Sequence, residues 1–289
     1  MPLDHAALID HIARLERDRD SRVLVLAASH LDLEMLPELY RRCRALGPVR
    51  RLDVVLHGRG GMVNAARRIA LLLREQATHL AFLVPYHCQS AATLLTLCAD
   101  EIVAGDLALF SPIDPQLHGI DGSAFSARDI EAFGDAAAQW FGFDASTARE
   151  QALALLCQGV PPPSLGTFYR STLEMTQIAE QLLAFQLTGC DAAFRRQVVL
   201  HLMSGYHSHQ YAITPAELKA LGLRMARDPE AERLAWEISE LIQGHIGGGL
   251  RESPDAPWND ALLATRDGVA TRRAQPGGLA PQWRWEPAA

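Results

Sequence analysis

Lysine is almost missing from this chain. It occurs once, at Lys219, so arginine supplies the other 26 of its 27 basic residues. Any chemistry that needs a lysine amine has one candidate. Cysteine is also scarce: the five residues at 43, 88, 98, 157 and 190 are odd in number and show no CxxC spacing. That argues against a disulfide framework or a structural zinc site, and for a reducing compartment. Basic charge is not in excess, with 27 Lys and Arg against 34 Asp and Glu for a net charge of −7. A general nucleic-acid binder, which must neutralise phosphates, is thereby excluded. No apolar run is long enough for a membrane. The most apolar stretch, residues 91–110, is interrupted by Asp100, Glu101 and Asp106, and a bilayer core is about 30 Å thick. The first 20 residues, MPLDHAALIDHIARLERDRD, are charged and helical in period and lack the apolar core of a signal peptide. These absences predict a cytoplasmic protein with no membrane or nucleic-acid partner and no cofactor or metal.

At 48% hydrophobic and 21% charged, the 289 residues can build a sizeable core. Short Val/Leu/Ile-rich runs at 22–28 (RVLVLAA), 52–57, 80–85 and 101–104 read as buried parallel strands. Segments of helical period, 32–46, 62–76 and 90–99, lie between them. This is the alternation of a mostly parallel α/β core. Further helices are predicted at 129–142, 146–157 (Ser146 as N-cap), 167–187, 191–204, 215–221 (Thr214 as N-cap, Gly222 as stop) and 230–243. The expected organisation is a catalytic core over 1–125, a helical region over 126–245 and a Pro/Gly-rich tail over 246–289. The tail shows no usable period. It reads as a loosely packed arm, or as a segment pinned by Trp283 and Trp285.

Two stretches could carry chemistry. His57-Gly58-Arg59-Gly60-Gly61 ends a strand just before a helix, where adjacent glycines let the backbone turn sharply and aim its N–H groups outward. Gln89-Ser90-Ala91-Ala92-Thr93 also joins a strand to a helix, with Ser90 flanked by small residues. A serine at a helix start and a separate Gly-Gly turn are the material of a nucleophile and an oxyanion hole, though each alone is also an ordinary cap or turn. Cys88 can be read as a nucleophile or as a small buried residue.

The runs LHGRGGMVNAARRIA and VPYHCQSAATLLTLCADEIVAGDLALFSPIDPQL resemble the serine dehydrogenase proteinase family. That family belongs to the Clp protease/crotonase superfamily and is related to signal peptide peptidase. Its pattern is LHTPGG, then SAGT, ADEI and GPxDPQ, and later THDYPI followed by a helix and GL. Here these stand at 57–61, 90–93, 99–102, 111–116, 208–213 and 221–223. The resemblance implies a Clp/crotonase-like ββα superhelix with an added C-terminal helical region, acting as a serine peptidase on a peptide or protein substrate. It implies Ser90 as nucleophile, the N–H groups of Gly60 or Gly61 and of Ala91 as oxyanion hole, and His209 as base. It further implies a homo-oligomer, and a helical arm that covers the site. The sequence departs from the pattern at Arg59 (usually Pro), Ala92 (Gly), Gln210 (Asp) and Ala212 (Pro).

Among the 11 histidines, His209 is the preferred base, with His57 and His87 next. A histidine titrates near neutral pH unaided, whereas Lys219 sits in a helix on what reads as the solvent side. Asp114, in the Asp-Pro turn, is the candidate acid that orients the base. A crotonase-type acyl-CoA enzyme and an inactive scaffold subunit remain alternatives at this level, because fold alone does not choose among them.

Overall fold

The computed structural model describes residues 3–118, 124–142, 144–246, 257–274 and 281–288. The strands are β1 (Arg22–Ala28), β2 (Val49–Gly58), β3 (Ala77–Val84), β4 (His87–Cys88), β5 (Glu101–Ala104), β6 (Leu109–Phe110), β7 (Gln116–His118), β8 (Ala124–Ser126), β9 (Met225–Ala226), β10 (Trp258–Thr265), β11 (Gly268–Ala274) and β12 (Gln282–Pro287). The helices are α1 (His5–Arg19), α2 (Leu36–Leu46), α3 (Val63–Gln76), α4 (Ala91–Thr96), α5 (Ala127–Phe141), α6 (Ala145–Gly159), α7 (Pro162–Gln186), α8 (Ala192–Ser204), α9 (Pro215–Ala220) and α10 (Pro229–Gln243).

The central sheet runs β12-β11-β10-β1-β2-β3-β5-β9. From β1 to β9 neighbouring strands are parallel; β10, β11 and β12 continue the sheet antiparallel. The apolar runs are continuous rather than alternating because both faces of the sheet are covered. Leu24, Leu26, Val54, Leu56, Leu80 and Phe82 pack on one face with residues of α2, α3, α4, α7 and α8. Val23, Val25, Val55, Ala81 and Leu83 face the opposite way onto α1 and α10.

The C-terminal segment departs from the sequence expectation. Residues 258–265, 268–274 and 282–287 are three strands, not an arm. Their inward residues Leu262, Leu263, Val269 and Ala270 are fully or almost fully buried. Arg272, 1% exposed, reaches across to both Asp32 and Asp260, with its Nη1 and Nη2 each 2.8 Å from an Asp32 oxygen. Trp285 does pin the segment: the Arg42 guanidinium of α2 lies 3.7 Å from its ring centroid. The stretch 247–256 lies outside the described residues. Ser146 is not the cap of α6, which begins one residue earlier; Asp144 accepts the Thr147 N–H at 3.1 Å instead. Thr214 does cap α9, in a reciprocal pair with Glu217. No helix among the described residues is long and apolar enough to cross a membrane.

Two local pairings set up the site. The short strand β4 leaves the main order to pair with the end of β2, Gly58 opposite Cys88. That sets the segment after β4 beside the turn after β2. Farther along, Phe110 and Ile213 exchange backbone hydrogen bonds at 3.1 and 2.9 Å. The residues after Phe110 are thereby brought alongside those before Ile213, which are some 100 positions away in sequence.

Candidate active site

Ser90 follows β4 and precedes α4, as the sequence predicts, but it is not a cap. Its side chain makes no capping hydrogen bond. Its backbone has φ 52° and ψ −117°. A non-glycine residue at positive φ is sparsely populated and costs roughly 1–3 kcal/mol, so surrounding structure must impose it. That structure is visible. The Ser90 N–H donates to Ser111 Oγ at 2.8 Å, Ser111 N–H donates to Thr93 Oγ1 at 3.1 Å, and Thr93 Oγ1 donates to the Cys88 carbonyl at 2.7 Å. The Ser90 Oγ is left without a hydrogen bond among the described residues.

The Gly60–Gly61 turn lies against it. Gly60 has φ +115°, and a Cβ there would sit 3.0 Å from Ser90 Cβ and 3.4 Å from its Oγ. Only glycine lets the backbone come this near the serine. Gly61 (φ +142°) has no room for a Cβ either, because the Leu31 backbone fills the space. Leu31 holds the turn from the far side: its N–H donates to the Gly60 carbonyl and its carbonyl accepts from the Met62 N–H, both at 2.8 Å. Those bonds use the Gly60 carbonyl and the Met62 N–H. The N–H groups of Gly60 and Gly61 are bonded to no backbone carbonyl among the described residues.

His209 and Asp114 meet through the Phe110–Ile213 pairing. His209 Nδ1 is 2.7 Å from Asp114 Oδ1. The second oxygen, Oδ2, accepts from Gln116 Nε2 at 2.7 Å. Asp114 is buried at 6% exposure, so its charge is compensated by these two donors rather than by water. Around His209 the chain turns tightly, with Tyr211 N–H to the Ser208 carbonyl at 3.0 Å and Tyr211 Oη to Glu217 Oε1 at 3.0 Å. Ser90, Gly61, Asp114, Gln116 and His209 all line one cleft of about 720 Å³. Its roof comes from the helical region: Asp129 and Ala132 of α5 and Ser171, Glu174 and Met175 of α7.

Residues 7–129 match the family model described as ClpP-like SDH-type serine proteinase. The match takes in somewhat under half of the chain and includes Ser90, the glycine turn and Asp114. Two uncharacterized proteins of Methanocaldococcus jannaschii are similar to it. One is 24% identical over 249 residues, covering 82% of this chain and 76% of the relative; the other is 34% identical over 87 residues, 30% of each. Two solved structures of the 1510-N membrane-bound stomatin-specific protease, one in complex with a substrate peptide, align at 15% identity. Their TM-scores are 0.43 and 0.44; they cover 79% and 73% of this chain, which covers 86% and 78% of theirs. The matched model is that of a serine proteinase, which supports a serine peptidase by class.

Within the ClpP-like region and its helical extension, other sequence candidates fall outside the cleft. Lys219 is exposed on α9 and is not among the cleft residues. His57 is 4% exposed at the end of β2, with its ring centroid 5.4 Å from that of His87 in a T-shaped contact. Burial first, then His87 and Arg59, hold His57 down to about pKa 4. His87 is also held below the usual histidine range, by burial and by Arg59. Neither lines the cleft. Cys88 is fully buried, which pushes its thiol well above the ordinary range, so it is packing and not a nucleophile. The side chain of His118 is outside the described residues.

Three contributors were missed. Ser111, in the slot where the family pattern has glycine, holds the Ser90 backbone. Gln116 holds Asp114. Leu31 clamps the glycine turn. The DPQ string could have signalled Gln116, since its glutamine follows the aspartate by two residues. Nothing in the sequence marks Ser111 or Leu31. The loss of an aspartate at Gln210 is also explained: the carboxylate on His209 comes from Asp114, 95 positions earlier.

Proposed function

We propose that the chain cleaves peptide bonds through an acyl-enzyme on Ser90. His209 Nδ1 is engaged by Asp114, which leaves Nε2 to take the proton from Ser90 Oγ as the oxygen attacks the scissile carbonyl carbon. The carbonyl oxygen becomes an oxyanion held by the N–H groups of Gly60, Gly61 and Ala91. Collapse breaks the C–N bond, and His209 returns its proton to the leaving amine. Water, deprotonated by the same histidine, then releases the acyl group. No hydrogen bond joins Ser90 to His209 among the described residues. Such contacts commonly tighten only when substrate is bound.

The observation that carries this reading is the uncapped Ser90 hydroxyl on a strained backbone, sharing one cleft with a hydrogen-bonded His209–Asp114 pair. We also propose self-association through the helical arm, where Trp140, Phe141, Tyr169, Leu153 and Leu155 are each more than half exposed. The five free cysteines suit the reducing, cytoplasmic setting proposed for it. The test is a fluorophosphonate probe followed by peptide mapping. Label should fall on Ser90, and folded Ser90→Ala should neither label nor hydrolyse peptides. Label elsewhere, or hydrolysis by Ser90→Ala, would remove the reading.

A further inference from the structure

The cleft carries three carboxylates and one arginine. Each carboxylate is occupied: Asp114 by His209 and Gln116, Asp129 by the Ser126 N–H at 2.6 Å, and Glu174 by Asn64 Nδ2 at 3.0 Å. Arg59 is not. Its guanidinium forms no ion pair among the described residues, and its one hydrogen-bonding contact there is Nη2 at 3.4 Å from His87 Nε2. His87 and His57 beside it give no countercharge, since a histidine is either neutral or positive. An arginine is always protonated, and its planar fork matches a carboxylate. Here Arg59 lines the cleft, is exposed, and lies one residue before Gly60.

We propose that Arg59 receives a substrate carboxylate. The carboxylate comes from an Asp or Glu side chain, or from a free C-terminus, within two residues of the bond cut at Ser90. The placement follows from chain geometry. Gly60 abuts Ser90, so the neighbouring Arg59 lies within about two residues of an extended substrate held there, at about 3.3 Å per residue. Every lining carboxylate repels such a ligand, and Arg59 is the one Arg or Lys among the described lining residues. The inference deepens the peptidase reading and rests on it for the location of the scissile bond.

Mass spectrometry of a digested, denatured protein would supply a parent peptide. Internally quenched copies then differ in Glu against Gln at each of two positions on either side of the cut, and in a free against an amidated C-terminus. The wild-type protein should prefer the carboxylate form by about tenfold in kcat/KM, the low end for a charge-assisted bond at an open site. Arg59→Gln should bring that ratio near one, and Arg59→Glu should reverse it in favour of Lys-bearing peptides. The Glu/Gln arm and the acid/amide arm tell the two carboxylate sources apart. A wild-type ratio near one, or a preference that survives in Arg59→Gln, overturns the proposal. Binding of the same peptides to Ser90→Ala, read by fluorescence anisotropy, separates the two claims. Arg59-dependent discrimination in binding with no hydrolysis by wild type sinks the peptidase and keeps the receptor. Hydrolysis without discrimination does the reverse.

Discussion

Replacing Asp114 by asparagine keeps the shape of the side chain and removes its charge. In the folded protein one carboxylate oxygen faces His209 Nδ1 and the other faces the Gln116 amide nitrogen, both at 2.7 Å. Both neighbours act as donors. An asparagine offers one acceptor and one donor, so it must set its NH₂ against one of them. If the NH₂ faces His209, Nδ1 becomes the acceptor and Nε2 carries the proton, the tautomer that cannot accept one from serine. In a serine protease triad that outcome costs about 10⁴-fold in kcat. If the NH₂ faces Gln116 instead, the glutamine must turn its amide. The tautomer is then kept, and what is lost is the charge of a buried, charge-assisted bond, worth about 1.5–3 kcal/mol or roughly 10- to 100-fold. The expected loss in kcat therefore lies between about 10- and 10⁴-fold, with a smaller change in KM because both oxygens of Asp114 are taken up by His209 and Gln116. The assay is steady-state hydrolysis of a quenched peptide, with the rate of fluorophosphonate labelling as a second readout and thermal melting to establish the fold. A folded Asp114→Asn protein that turns over and labels within threefold of wild type would refute the coupling of His209 to Asp114.

Lys219→Arg, which keeps the charge but cannot deprotonate, should hydrolyse at close to the wild-type rate, since Lys219 is exposed and away from the cleft; a large loss would restore a serine–lysine mechanism. His57 links stability to pH. The unfolded chain takes up its proton near pH 6.5, the folded chain only near 4, so stability is full above 6.5 and falls by up to ~3 kcal/mol as pH drops through that window. Denaturant titrations at pH 7 and 4.5 should show a smaller loss for His57→Gln than for wild type, and equal losses would remove His57 as the cause. Arg272→Met leaves Asp32 and Asp260 near one another without their shared cation, a kind of change that costs about 3–5 kcal/mol; an unchanged melting temperature would show that Arg272 does not hold the C-terminal strands.

The strands of the core were legible because burial on both faces writes itself as an unbroken apolar run. Residues 22–28 and 101–104 coincide with β1 and β5. The C-terminal strands were not, although they join the same sheet. Arg272 and Arg273 sit in β11, and their charges hide the strand from any hydrophobic pattern, because the partners that neutralise Arg272 lie at 32 and 260. Ser90 and the glycine turn were legible from local residue types. The closeness of His209 to Asp114 was not a local property. It depends on the Phe110–Ile213 pairing, and only the family resemblance put those two residues on the same list. Ser111 escaped notice because its role is made by the neighbours it touches and not by its own spacing.

The pairing of β1 with β10 has a consequence for the order of synthesis. β1 is made first, yet the strand that covers its outer edge begins at Trp258. Until then a nascent chain exposes a long apolar edge, an open template for other chains. Asp32, next to the Leu31 clamp on the glycine turn, likewise waits for Arg272. At about 5–20 residues per second, the interval of more than 200 residues lasts on the order of 10–50 s. Ser90 and its glycine turn are both translated early in that interval. The clamp beside them receives its last support only after residue 272 has emerged, so the sheet edge is covered and the cleft braced at nearly the same moment.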